Sequence, residues 1–222
     1  MVLKMKGLIR VITKTKICGI KTPDILKTCV EAGANFVGFV FYPPSPRNIE
    51  IDTAKELALQ VPTGLRSVGL FVDPTDEQLE SVLGHVPLDM IQLHGDESIE
   101  RVQEIKNTHH MPIIKAFPVR DDADIEKSRP YEAHVDWLLF DAKPVNTDLP
   151  GGTGQSFDWG LLKDKNFSKP WMLSGGLTPE NITEALSALT PDAIDVSSGV
   201  ESTRGVKNAG KIKDIIEIIK KN

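Results

Sequence analysis

Short runs of apolar and β-branched residues alternate along the chain with amphipathic stretches of about ten residues whose apolar positions recur three and four apart. The runs begin near Thr15 (TKICG), Phe36 (FVGFVF), Arg66 (RSVGLF), Asp89 (DMIQL), Pro112 (PIIKAF), Asp136 (DWLLF), Pro170 (PWML) and Ala193 (AIDVS). Their length and residue types predict strands. The stretches between them predict helices over 24–34, 53–60, 76–84, 98–107, 159–164, 179–189 and 209–221, with a weak one near 121–132. Three helices are expected to open with proline behind a capping side chain, at Thr22-Pro23, Asp73-Pro74 and Thr178-Pro179. Proline in the first turn lacks only an N–H that the helix leaves unused.

Regular β, α alternation implies parallel strands joined by right-handed crossovers. Eight such units predict an α/β fold of one kind, a single (β/α)8 TIM barrel. An open doubly wound sheet would carry Gly-x-Gly-x-x-Gly after its first strand, where this chain has CGIKTPD. Most strand starts are 21 to 24 residues apart, but two intervals are 30 and 34. Both hold their surplus directly after a strand, in YPPSPRNIEID and in DAKPVNTDLPGGTGQSFD. In a barrel those loops lie on the C-terminal face, where chemistry sits.

Composition narrows the picture. The 222 residues suffice for one barrel, expected over 15–222 as the catalytic domain, preceded by an N-terminal extension over 1–14. A net charge of −5 argues against a nucleic-acid binder, whose affinity comes from neutralising phosphates. No apolar run is long enough to span a bilayer, so no membrane partner is expected. Two cysteines without a secretory leader predict reduced thiols and a cytoplasmic location. Six bases precede the first acid, Asp24, so the start of the chain reads as a solvated basic extension, with a transit peptide as the alternative. The Ile-rich face of the last helix is expected to close the barrel wall; a dimer contact is its other use, so the chain is a monomer or a homodimer.

Polar residues at the strand ends are the candidates for chemistry: Cys18, Arg47, His94, Lys115, Asp141 and Asp195. Cys29, beside Val30 and Ala32 on a helix, reads as core. His94 is either functional or a cap for the next helix, and Lys115 with Asp195 is a candidate ion pair inside the barrel. The isolated His85 and His134 and the adjacent His109 and His110 lack a second ligand cluster; with no CxxC or HExxH motif, no metal is expected. Gly175 and Gly176 follow the seventh strand, and Ser197, Ser198 and Gly199 follow the eighth. Glycine-rich turns at that place let backbone N–H groups approach a phosphate. Gly151, Gly152 and Gly154 are either a cover or a second anion contact. A thiol and a carboxylic acid beside a phosphate site suit proton transfer on a phosphosugar, provided cations such as Lys16 favour the thiolate. Lys21 also stands near enough in sequence to act on it. Two other readings remain: a lyase or aldolase with a Lys115 Schiff base, and a phosphate-ligand sensor on a degenerate barrel.

The segments KICGI (16–20), FVGFVFYPPSPRNI (36–49), VGLFVD (68–73), IQLHGDE (91–97), LLFDAK (138–143), GGTGQSFDW (151–159), LSGGLTPENI (173–182) and DVSSGVE (195–201) together resemble the phosphoribosylanthranilate isomerase family of tryptophan biosynthesis. The resemblance implies an Amadori rearrangement of a small-molecule phosphosugar, with no cofactor. It assigns Asp141 as the general acid and Cys18 as the base. Arg47 would hold the substrate carboxylate, His94 would line the pocket, and Asp195 would lie near the substrate. Gly175, Gly176, Ser197, Ser198 and Gly199 would receive the phosphate. Lys21 and Ser174 depart from the family's usual threonine and alanine.

Overall fold

The computed structural model describes residues 13–142 and 157–222. Nearly all of the basic extension, and Gly151, Gly152 and Gly154 of the sixth loop, lie outside the described residues. Eight strands form a closed barrel in chain order: β1 (Lys14–Cys18), β2 (Phe36–Val40), β3 (Arg66–Phe71), β4 (Met90–Leu93), β5 (Ile113–Val119), β6 (Trp137–Ala142), β7 (Trp171–Leu173) and β8 (Ala193–Val196). All are parallel, and β8 pairs back onto β1 with Lys16 opposite Asp195. Each begins within one residue of its expected start.

Helices α1 (Pro23–Ala32), α2 (Ile51–Ala58), α3 (Asp76–Leu83), α4 (Ile99–His109), α5 (Asp122–Glu126), α6 (Ile182–Ala188) and α7 (Ala209–Lys221) fill the crossovers. The helix expected over 159–164 is a 3-10 turn, Trp159–Leu162. Thr22 and Pro23 open α1 as expected, although the Thr22 side chain makes no capping bond. The other two proline caps are different. Thr75 caps α3 by accepting from the Gln78 N–H, which frees Asp73 to take a φ of +45° and accept from the Asp96 N–H at 2.8 Å. Thr178 turns the chain ahead of α6, with Asn181 accepting from its N–H at 2.8 Å, so the helix starts only at Ile182.

Alternation along the strands sorts the side chains. Phe36, Val68, Met90, Ile114, Ala116, Trp137, Leu139, Met172 and Ala193 fill the barrel interior. Their neighbours, among them Ile17, Val37, Phe39, Ile91, Ile113, Leu138 and Phe140, join the larger core against the helices. On the last helix Ile212, Ile215, Ile216 and Ile219 are buried, and α7 packs on α1, α6 and β1, closing the wall. Each buried isoleucine contributes about 1.5–3 kcal/mol. Among the described residues no helix is long and apolar enough to cross a membrane.

The same parity corrects the expected Lys115–Asp195 pair. Lys115 sits between two inward residues, so it points to the helix side, where Nζ donates to the Gly95 carbonyl at 2.8 Å and pairs with buried Glu97 at 3.0 Å. Asp195 pairs instead with Lys16 at 2.9 Å. A Schiff base on Lys115 therefore has no place in the barrel mouth.

Candidate active site

Cys18 ends β1 with its side chain buried inside the barrel. The turn beyond it needs Gly19, whose φ is +84°. Across the register lies Gly38, where a β-carbon would stand 3.0 Å from the Cys18 Sγ and 3.2 Å from the Lys16 Nζ. That close approach explains the glycine in the middle of FVGFVF. Burial pushes the Cys18 thiol up from its usual range, Lys16 opposes this, Asp195 adds to it, and Lys207 opposes it again. Burial works against the charge on Lys16, but Asp195 and Cys18 outweigh it and the ammonium is held above its ordinary range. Lys21 donates to the Pro46 carbonyl at 3.3 Å.

Asp141 stands near the end of β6, buried, on the inward parity of Trp137 and Leu139. Its Oδ1 accepts from the Ala142 N–H at 2.9 Å, and its Oδ2 lies 3.3 Å from the His94 Nε2. The other ring nitrogen of His94 meets the Gln92 amide at 2.9 Å. His94 does not cap α4: Ser98 does, accepting from the Arg101 N–H. Gln92 is fully buried. Only the two-residue period of DMIQLH, which puts it on the same side as His94, signals it. Behind the turn, Glu97 accepts from the N–H groups of Gly95 and Asp73, so Lys115 and Glu97 brace the loop that carries His94.

Arg47 is buried, and its Nε and Nη2 donate to the two carboxylate oxygens of Glu201 at 2.8 and 2.9 Å. Such a fork fixes the plane of the guanidinium. Glu201 belongs to an unexpected hairpin in the loop after β8, formed by β9 (Glu201–Thr203) and β10 (Val206–Lys207). Lys207 reaches Glu201 from the second strand at 2.7 Å. Burial opposes the charge on Glu201, but Arg47, Lys207 and the Gly205 N–H hold its carboxyl down to about 2. Because the folded value is depressed, the stability it contributes is present above the ordinary range near 4.5 and is lost as pH falls through about 2. Urea denaturation between pH 7 and pH 2 is expected to show this loss in the native chain, and Glu201→Gln is expected to flatten that part of the profile.

The two loops expected to receive the phosphate meet each other. Gly175 and Gly176 have φ of +90° and +62°, and a β-carbon at Gly175 would lie 2.6 Å from the Ala142 nitrogen. One at Gly199 would lie 1.8 Å from the Leu177 carbonyl oxygen. Asn181 binds the Gly176 carbonyl at 2.9 Å, while among the described residues the N–H groups of Gly175, Gly176, Ser198 and Gly199 donate to no acceptor. Ser197, which the resemblance places at the phosphate, is bonded to both neighbouring elements. Its hydroxyl donates to the Cys18 carbonyl at 3.1 Å and accepts from the Lys207 Nζ at 3.2 Å.

The barrel order gives this set its shape. The acid strand β6 and the thiol strand β1 flank β7 and β8, which carry the open N–H groups. Residues 15–218 match the family model of N-(5'phosphoribosyl)anthranilate (PRA) isomerase. The N-(5'-phosphoribosyl)anthranilate isomerase of Paracoccus denitrificans is 50% identical over 202 residues, which cover 90% of this chain and 94% of that one. The solved phosphoribosyl anthranilate isomerase of Thermotoga maritima superposes with a TM-score of 0.85 at 36% identity, over 95% of this chain and 100% of the other. A solved isomerase in complex with reduced 1-(O-carboxyphenylamino)-1-deoxyribulose 5-phosphate superposes at 0.81 with 35% identity, again over 95% and 100%. By a match that runs from β1 into the last helix, the chain belongs to the phosphoribosylanthranilate isomerase family.

Proposed function

We propose that the chain converts N-(5-phosphoribosyl)anthranilate to 1-(2-carboxyphenylamino)-1-deoxyribulose 5-phosphate, the Amadori step of L-tryptophan biosynthesis, with Asp141 as general acid and Cys18 as general base. The observation that carries this reading is the placement of those two side chains on β6 and β1, on either side of the phosphate loops of β7 and β8. Asp141 gives its proton to the furanose ring oxygen as the C1′–O bond breaks, and the anthranilate nitrogen lone pair forms the iminium. The iminium acidifies the C2′ proton, which passes to the Cys18 thiolate. The C–H electrons form the C1′=C2′ bond, and the nitrogen becomes neutral again. The resulting enolamine loses its hydroxyl proton, gains one at C1′ and becomes the ketone. No electron leaves the substrate, so no redox partner is needed. Each proton transfer is worth about 10² to 10⁴ in rate.

Around this pair, His94 orients the Asp141 carboxyl and Gln92 orients His94. Asp195 acts through Lys16, and Arg47 supplies the charge for the substrate carboxylate. The phosphate rests on the two loops of Gly175, Gly176, Ser197, Ser198 and Gly199, where the N–H groups of Gly175, Gly176, Ser198 and Gly199 have no other acceptor among the described residues. The enzyme works in the cytoplasm as a monomer or homodimer. Incubation of the purified chain with phosphoribosylanthranilate is expected to yield the ribulose phosphate product, followed through the anthranilate chromophore. Tight binding without turnover would refute the isomerase and favour the phosphate sensor.

A further inference from the structure

A buried thiol serves as a base only where positive charge favours its anion, and two lysines act on Cys18. Lys16, on its own strand, is completely buried, but Asp195 of β8 stands 2.9 Å from it and offsets its charge. Arg47 in the second loop is matched in the same way by the two oxygens of Glu201. Lys207 of β10 shares that one carboxylate with Arg47, so the two cations exceed it by one charge. Its Nζ donates to Glu201 at 2.7 Å, to the Ser197 carbonyl at 3.1 Å and to the Ser197 hydroxyl at 3.2 Å, the three bonds an ammonium makes. Ser197 in turn donates to the Cys18 carbonyl at 3.1 Å, so the charge is anchored to the residue that bears the thiol. Among the described residues, Lys16, Lys207 and Arg47 stand against Asp195 and Glu201 beside Cys18, three cations to two acids.

We propose that Lys207 is a positioning residue of the isomerase reaction: its charge favours the Cys18 thiolate against the burial that opposes it, and Glu201 fixes Lys207 and Arg47 together. One hairpin thus sets both the base and the guanidinium for the substrate carboxylate. Ten residues lie between Ser197, which bonds the Cys18 carbonyl, and Asn208 at the head of α7, and the chain crosses them by a 3-10 turn, Ser198–Val200, followed by this hairpin. The proposal rests on Cys18 being the base, and its test reads the thiol apart from turnover.

Cys29, pushed up to about 12 by burial, is first replaced as Cys29→Ala to leave one thiol. The ¹³Cβ shift of labelled Cys18 is then titrated beside the pH profile of kcat. In Lys207→Met the thiol midpoint is expected to rise by about one pH unit or more, with the kcat limb moving alongside it. Lys207→Arg is expected to bring both back toward the native values. If Lys207→Met fails to fold by circular dichroism, Lys207→Gln, which keeps hydrogen bonds without charge, carries the same expectation. A midpoint unmoved by loss of the charge, or moved equally by the Met and Arg variants, overturns the proposal. A midpoint that moves while the kcat limb stays in place supports the Lys207 coupling and refutes Cys18 as the base.

Discussion

Asp141→Asn is expected to lower kcat by about 10³-fold while leaving KM within a few-fold of native. The amide has the shape of the carboxyl and its oxygen can keep the 2.9 Å bond from the Ala142 N–H, so the end of β6 stays in place. What it lacks is the proton for the ring oxygen. Without it the C1′–O bond must break toward an unprotonated alkoxide, so the iminium that acidifies C2′ forms far more slowly. The contact with the His94 Nε2 at 3.3 Å also changes, since the substitution replaces one carboxyl oxygen with an amide nitrogen. Circular dichroism should match the native chain. Turnover within tenfold of native would show that another group opens the ring, with His94 the nearest to inherit that role.

How much of this site the sequence discloses depends on parity and on distance along the chain. Strand positions are legible because each apolar run is bounded by turn residues, and a βα alternation leaves few topologies to choose among. Cys18, His94 and Asp141 are legible as polar residues at strand ends. The direction of Lys115 is not. In a parallel barrel both faces of a strand are covered, so PIIKAF shows no apolar and polar alternation to tell inside from outside. The Lys16–Asp195 pair suffers from the same lack and from 179 residues of intervening chain.

The hairpin of β9 and β10 is legible in neither respect. EST and VK are too short and too polar to predict strands, and Lys207 looks like any solvated lysine. Glu201 falls inside DVSSGVE, yet nothing local says that Arg47, 154 residues earlier, will take both of its oxygens. A buried arginine in loop two needs an acid, but that need does not say which loop supplies it. The displaced proline caps have a simpler cause. Asp73 and Thr178 are good capping residues, but each meets a partner in or beyond its own turn before the helix begins.

Cys18→Ala should cost as much turnover as the loss of the acid, about 10³-fold in kcat, for a different reason. Here the ring still opens, because Asp141 is intact, and the reaction stalls at the iminium with its C2′ proton in place. The alanine leaves a space the size of one sulfur beside Gly38 and Lys16, too small to loosen a barrel whose interior rests on Phe36, Trp137 and their neighbours. The two variants are told apart by deuterium at C2′ of the substrate. With the base gone, C–H cleavage governs the rate, so Cys18→Ala should show a larger isotope effect on kcat than the native chain, while Asp141→Asn should show a smaller one. The double variant should be little worse than either single variant, since the acid and the base serve one sequence of bond changes and their losses do not add. Cys18→Ala with near-native kcat, or with no isotope effect, would move the base to another residue, and Asp195, 2.9 Å from Lys16 at the same end of β1, would be the next to replace.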